Sequence, residues 1–179
     1  MALRLQEYTT PANTLVIADT AAPPGTLPTP AVSTLPTLIS PLIDGSDAYI
    51  WSPNTTSNQT VTFRSTFDVT GLPIVVVALP VSVFYAYAAN EIASVTASLE
   101  VVDLLGIVVL TIPLFTDANS GDPQDVAIAS GDALIGVGVL PPGNSVRIVV
   151  DATVTSPTTI SYTTNPGRYL GEITVRDIT

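Results

Sequence analysis

From about Ser46 onward, apolar and polar residues alternate with a period of two. Val61, Phe63, Phe67 and Val69 are interleaved with Thr60, Thr62, Arg64, Thr66, Asp68 and Thr70. Ala93, Val95, Ala97, Leu99 and Val101 alternate with Ser94, Thr96, Ser98 and Glu100, and Val146, Ile148, Val150, Ala152 and Val154 repeat the rhythm. Successive side chains of a strand point to opposite faces, so this pattern predicts strands with one face in a core and one in solvent. Apolar runs at 75–88, 107–115 and 126–139 predict further buried strands, the first bent at Pro80, and 160–162 and 169–178 complete the set. Gly71-Leu72-Pro73 and Pro141-Pro142-Gly143-Asn144 mark turns, and 117–125 reads as a polar loop. No stretch keeps a helical rhythm over about 11 residues. Short strands separated by Gly, Pro, Asn and Asp predict an all-β fold, an antiparallel β-sandwich or jelly roll.

The first 45 residues differ in texture. Pro11, Pro23, Pro24, Pro28, Pro30, Pro36 and Pro41 lie close together and forbid helix, because proline fixes φ and lacks a donor. Leu15-Val16-Ile17, Leu38-Ile39 and Leu42-Ile43 are nevertheless too apolar for a solvated linker. The expectation is two units: an extended N-terminal arm over 1–45 and a β-sandwich over 46–179. Within the arm, 3–8 and 14–18 are strand-like, and Leu3, Leu5, Leu15, Val16 and Ile17 are its candidate assembly residues. Such an arm can lie on its own domain or add a strand to the sheet of a neighbouring copy.

Composition sharpens this picture mainly by exclusion. Only 11% of residues are charged and mean hydropathy is +0.49, which leaves little polar surface to cover the fold and favours burial of apolar surface against other copies. The net charge is −10 and the five cations, Arg4, Arg64, Arg147, Arg168 and Arg176, are scattered, so nucleic acid and anionic membranes are not expected partners. The apolar runs at 72–89 and 101–115 are interrupted by Pro73, Pro80, Asp103, Gly106 and Pro113, and read as strands rather than membrane spans. Lys, His and Cys are absent, which removes Schiff-base lysines, His general bases, Cys nucleophiles, the usual zinc sites and disulfides. The first residues carry no basic region followed by an apolar core, so an extracellular destination implies prior removal of a signal or another export route.

Asp117, Asn119, Asp122 and Asp125 place four oxygen-bearing side chains in one loop, a candidate calcium site without the EF-hand spacing. Asn54-Thr55-Thr56 and Asn58-Gln59-Thr60 make Asn54 and Asn58 candidate glycosylation acceptors. The one enzyme class that composition leaves open is a two-carboxylate glycosidase, for which Glu7, Glu91, Glu100 and Glu172 are the glutamates. Glu100 and Glu172 read as ordinary outward-facing strand residues. No catalytic residue and no cofactor is expected. Tyr49, Trp51, Tyr85, Tyr87, Tyr162 and Tyr169 are either core aromatics or a sugar-stacking platform.

Three segments carry a resemblance. Ala48-Tyr49-Ile50-Trp51 with Thr62-Phe63-Arg64-Ser65-Thr66-Phe67, then Asn144 to Val150, then Asn165 to Ile173, are similar to the opening, penultimate and closing strands of galactose-binding-like β-sandwich modules. The resemblance implies the sandwich. The middle of the chain lacks the aspartate and Asn-Gly segment such modules carry, so the sugar site is not implied with it. An apolar arm before a charge-poor sandwich also resembles the donor-strand subunits of surface fibres and spore appendages. The expected role is therefore a structural subunit of an extracellular filament, on a cell or spore surface, built by adding the N-terminal strand to the next copy. The alternatives are a carbohydrate-binding module or adhesin, and a viral capsid or tail protein. On the arm reading, removal of residues 1–20 leaves a folded domain.

Overall fold

The computed structural model describes residues 2–34, 49–72, 78–89, 92–119, 126–136, 143–156 and 167–177, and none of these is helical. Among the described residues there are twelve strands: β1 (Ala2–Tyr8), β2 (Thr14–Asp19), β3 (Thr29–Pro30), β4 (Val32–Ser33), β5 (Ile50–Trp51), β6 (Thr60–Val69), β7 (Leu79–Ala89), β8 (Ala93–Val102), β9 (Val108–Ala118), β10 (Ala127–Ile135), β11 (Ser145–Thr155) and β12 (Tyr169–Asp177). One sheet runs β10-β7-β12-β5-β4 with β1 also on β12, and the other runs β3-β2-β6-β11-β8-β9.

The long strands pair in a nested order. β1 lies on β12, β6 on β11, β7 on β10 and β8 on β9, all antiparallel. The β7–β12 and β8–β11 pairings then gather these four hairpin-like pairs into two sheets. A long hairpin rolled over in this way is a jelly roll. The fold class expected from the sequence is therefore the fold observed. The segments that resemble galactose-binding-like modules fall on β5, β6, β11 and the closing strand β12.

The period-two pattern is realised as written. Val61, Phe63, Phe67 and Val69 of β6, Val146, Ile148, Val150, Ala152 and Val154 of β11, and alternate residues of β8 point between the sheets and are buried. They meet Leu79, Val81, Val83, Tyr85 and Tyr87 of β7 and Tyr169, Ile173 and Val175 of β12. The aromatics cross the core as a chain: Trp51 on Phe63 at 5.7 Å, Phe63 stacked on Tyr169 at 5.5 Å, and Tyr85 near Phe115 at 6.2 Å. On the outer face, cross-strand register sets Arg64 opposite Asp151 and Arg147 opposite Glu100, and both pairs form ion pairs. β7 begins at Leu79, with Pro80 as its second residue. The strand expected at 160–162, Pro141 and Pro142 of the turn expected before β11, and residues 73–77 lie outside the described residues.

The separate arm over 1–45 is corrected for its described part. β1 pairs along β12 from Ala2 opposite Asp177 to Tyr8 opposite Glu172, and β2 pairs along β6. β1 is the outermost member of the nested pairs, so the leader is the first strand of the sandwich. Arg4 forms an ion pair with Asp177, whose carboxyl is held below its ordinary value by the Ala2 N–H and by that guanidinium. Thr9 and Gly171 then lock the end of β1 through a backbone and a side-chain hydrogen bond. The physical reason is the apolar content that set the segment apart. Val16 is fully buried and Leu5 packs on the core, and the nearest sheet able to cover them is the chain's own. Residues 35–45 lie outside the described residues.

Candidate assembly surface

The most exposed apolar residues sit at the turn between β8 and β9, in Asp103-Leu104-Leu105-Gly106-Ile107. One aspartate organises this turn. The Asp103 carboxylate accepts the N–H of Leu105 at 2.8 Å and of Ile107 at 2.9 Å, and the Asp103 backbone exchanges hydrogen bonds with Ile107 and Gly106. Gly106 takes φ +80°, which a side-chain-bearing residue adopts only with strain. Leu104 is 78% and Leu105 83% exposed. Leu104 extends towards the backbone of Gly143 in the neighbouring loop. Ile107, Val108 and Val109 are also exposed, the two valines on opposite faces of β9, and no charged residue occurs from Leu104 to Phe115.

A second apolar surface lies on the outer face of the other sheet, where Phe84 of β7 and Ile128 and Leu134 of β10 are exposed. Ile128 sits opposite Ala86 and Leu134 opposite Pro80, with Ser130 and Asp132 between them on the same face of β10. Exposed apolar clusters on a folded domain mark contact surfaces, because covering them releases ordered water.

β9 and β10 are sheet edges, and side-by-side pairing through them is discouraged. Pro113 removes a donor in the middle of β9, and register shifts interrupt its pairing with β8 on either side of it. The Leu114 carbonyl also presses against Gly131 of β10 so closely that a Cβ there would lie 2.3 Å from the oxygen. Contact through this end of the molecule therefore falls to side chains.

The sequence-derived candidates are distributed as follows. Val16 is core and Leu5 half-buried, Leu3 and Leu15 are exposed, and Ile17 lies at the register shift of β2. They do not form one surface. Asp117 accepts the Tyr87 hydroxyl at 2.8 Å and Asn119 accepts the Ala93 N–H at 2.7 Å, while Asp122 and Asp125 lie outside the described residues. Among the described residues no group of three or more acidic side chains is placed to hold a metal. Asn58 is exposed in the turn before β6, and Asn54 is half-buried with its amide on Asp19 at 3.4 Å. Glu100 is ion-paired with Arg147, Glu172 accepts from Gln6 and Glu7 from Asn13, whereas Glu91 lies outside the described residues.

Of the two readings of the aromatics, the core one holds for five of the six. Tyr49, Trp51, Tyr85, Tyr87 and Tyr169 are all buried, and Tyr162 lies outside the described residues. Tyr85 and Tyr169 share a hydroxyl–hydroxyl hydrogen bond, and burial raises the phenol pKa of both. Burial, then the hydrogen bond to Asp117, raises that of Tyr87. Rings committed to the core in this way cannot stack on a sugar. Sequence reasoning missed Leu104, Leu105 and Ile107, although a signal was present: apolar side chains occupy turn positions between an aspartate and a glycine, where polar residues are the rule.

No family model matches the chain, and no curated protein matches it. Among solved structures, it is similar to one described as a carbohydrate-binding module of the β-sandwich superfamily, at 9% identity and TM-score 0.44, covering 98% of this chain and 56% of that one. It is also similar to a structure of infectious bursal disease virus, Gx strain, at 10% identity and TM-score 0.39, covering 83% and 37% of the two chains. A third is the enzymatically active domain of tailspike protein 4 from bacteriophage CBA120, at 12% identity and TM-score 0.36, covering 97% and 19%. The chain thus spans little more than half, or less, of the solved structures it matches. Likenesses this distant carry no weight for the role of this protein.

Proposed function

We propose that this jelly roll is a non-catalytic structural subunit that associates with copies of itself in an extracellular assembly. The observation that carries the reading is the braced, outward-pointing Leu104-Leu105 turn on a surface with few charges. A turn whose backbone is held by its own aspartate loses less conformational freedom on docking, so less of the apolar contact it makes is offset by ordering. The turn and the Phe84–Ile128–Leu134 face are different surfaces, and a contact from one to the other is heterologous. Repeated without ring closure, such a contact builds an open filament. The reading replaces strand addition with side-chain docking, because β1 already occupies β12 of its own chain. A viral shell would use the same kind of contact with a closed symmetry. A carbohydrate-binding role draws no support from the buried aromatics.

The test is assembly of the purified chain as a function of concentration, followed by sedimentation velocity and negative-stain electron microscopy. Leu104→Asp with Leu105→Asp should keep the strand signature in circular dichroism and hold the protein as a monomer. Phe84→Asp with Ile128→Asp should do the same. A wild-type chain that stays monomeric at millimolar concentration, or a turn variant that assembles as the wild type does, overturns the proposal.

A further inference from the structure

The second feature that stands out is a buried polar cluster where β2, β5 and β6 meet. Ser52 directly follows β5 and Gln59 directly precedes β6, and neither has any solvent exposure. Both bind one carboxylate, that of Asp19. The Ser52 hydroxyl donates to Oδ2 of Asp19, and Nε2 of Gln59 donates to Oδ1 at 2.7 Å. The carboxamide oxygen of Gln59 accepts two N–H groups, Nε1 of Trp51 and the backbone of Thr56, each at 3.2 Å. A backbone N–H from Asn54 reaches the Ser52 hydroxyl oxygen at 3.1 Å.

These are several of the parts an acyl transfer needs. A hydroxyl rests on a base, a carbonyl oxygen lies between two fixed donors, and the leaving nitrogen rests on the other oxygen of the same base. Exclusion of water protects an ester product from hydrolysis. We propose that Ser52 and Gln59 join in an intramolecular ester cross-link, with Asp19 as the proton carrier. The bond from Ser52 Oγ to Gln59 Cδ forms and the Cδ–Nε2 bond breaks. The hydroxyl proton passes through Asp19 to Nε2, which leaves as ammonia. Asp19 ends as it began, and no oxidant, reductant or other reactant is needed. The ester carbonyl keeps both N–H donors. In a chain without cysteine, the bond fastens the β5–β6 connection covalently, and it stands independently of the assembly reading.

Intact-mass spectrometry of the full-length folded protein tests this directly. The expected mass is that of the sequence less one ammonia, with peptide mapping locating the link between Ser52 and Gln59. Alkaline hydroxylamine should open it and leave a hydroxamate at position 59. Ser52→Ala and Gln59→Glu should show the mass of their sequences, and Asp19→Asn should slow formation on the order of 100-fold or more. Full sequence mass after prolonged warming of folded wild-type protein overturns the proposal. So does an ammonia loss that persists in Ser52→Ala, since that places the chemistry at another amide. The wild-type map and its hydroxylamine sensitivity decide the matter even where a variant fails to fold.

Discussion

Two adjacent residues of the N-terminal segment separate a core strand from a free arm. Val16 and Leu15 were both candidate assembly residues, yet Val16 is 0% exposed, facing the core from β2, and Leu15 is 41% exposed on the other side of the strand. Val16→Ala deletes two methyl groups from a packed site. At about 0.8 kcal/mol per buried carbon, the transfer loss is about 1.6 kcal/mol, and the residual cavity brings the total to about 2–3 kcal/mol. For a chain of this size, each kcal/mol lowers Tm by about 2–4 °C, so the shift is about 4–12 °C. Leu15→Ala should stay within about 0.5 kcal/mol of wild type, as outward-facing changes do. Thermal and urea unfolding at a dilution where the protein is monomeric, followed by far-ultraviolet circular dichroism, measures both. A free or exchanged arm gives neither variant an effect on the monomer. Equal midpoints for Val16→Ala and Leu15→Ala would refute the assignment of β2 to its own core.

Three further outcomes follow from the packing. Gly131→Ala forces a Cβ against the Leu114 carbonyl, and because backbone cannot swing aside, the cost should be about 1–3 kcal/mol, read as a lowered Tm and faster amide exchange in β9 and β10. Asp177 has a depressed pKa, so its stabilising contribution is complete above its ordinary value of 3.8 and is lost as pH falls through the lower folded value; Arg4→Gln should flatten the acid limb of the stability curve. The phenols of Tyr85, Tyr87 and Tyr169 are shifted upward, so their contribution is intact below 10 and is lost as pH rises above it. Tyr85→Phe should reduce that alkaline loss in equilibrium unfolding between about pH 9 and 12, around the ordinary phenol pKa.

The alternation in β6, β8 and β11 settled the all-β class and the inward faces of those strands, because a period of two has one geometric meaning in extended chain. Missing residue types narrowed the chemistry in the same local way, since a base or thiol that is not in the chain cannot act. Partnership lay beyond local pattern. An apolar, strand-like leader reads the same whether it docks on its own sheet or another, and only the nested order, with β1 closing on β12 at the far end of the chain, decided it. The same holds for the aromatics, whose alternation does not say which side of the sheet is covered, and for Asp19, Ser52 and Gln59, separated in sequence and joined only where three strands converge. Leu104 and Leu105 became legible as surface once the Asp103 turn fixed their direction, since hydropathy alone assigns such residues to the interior.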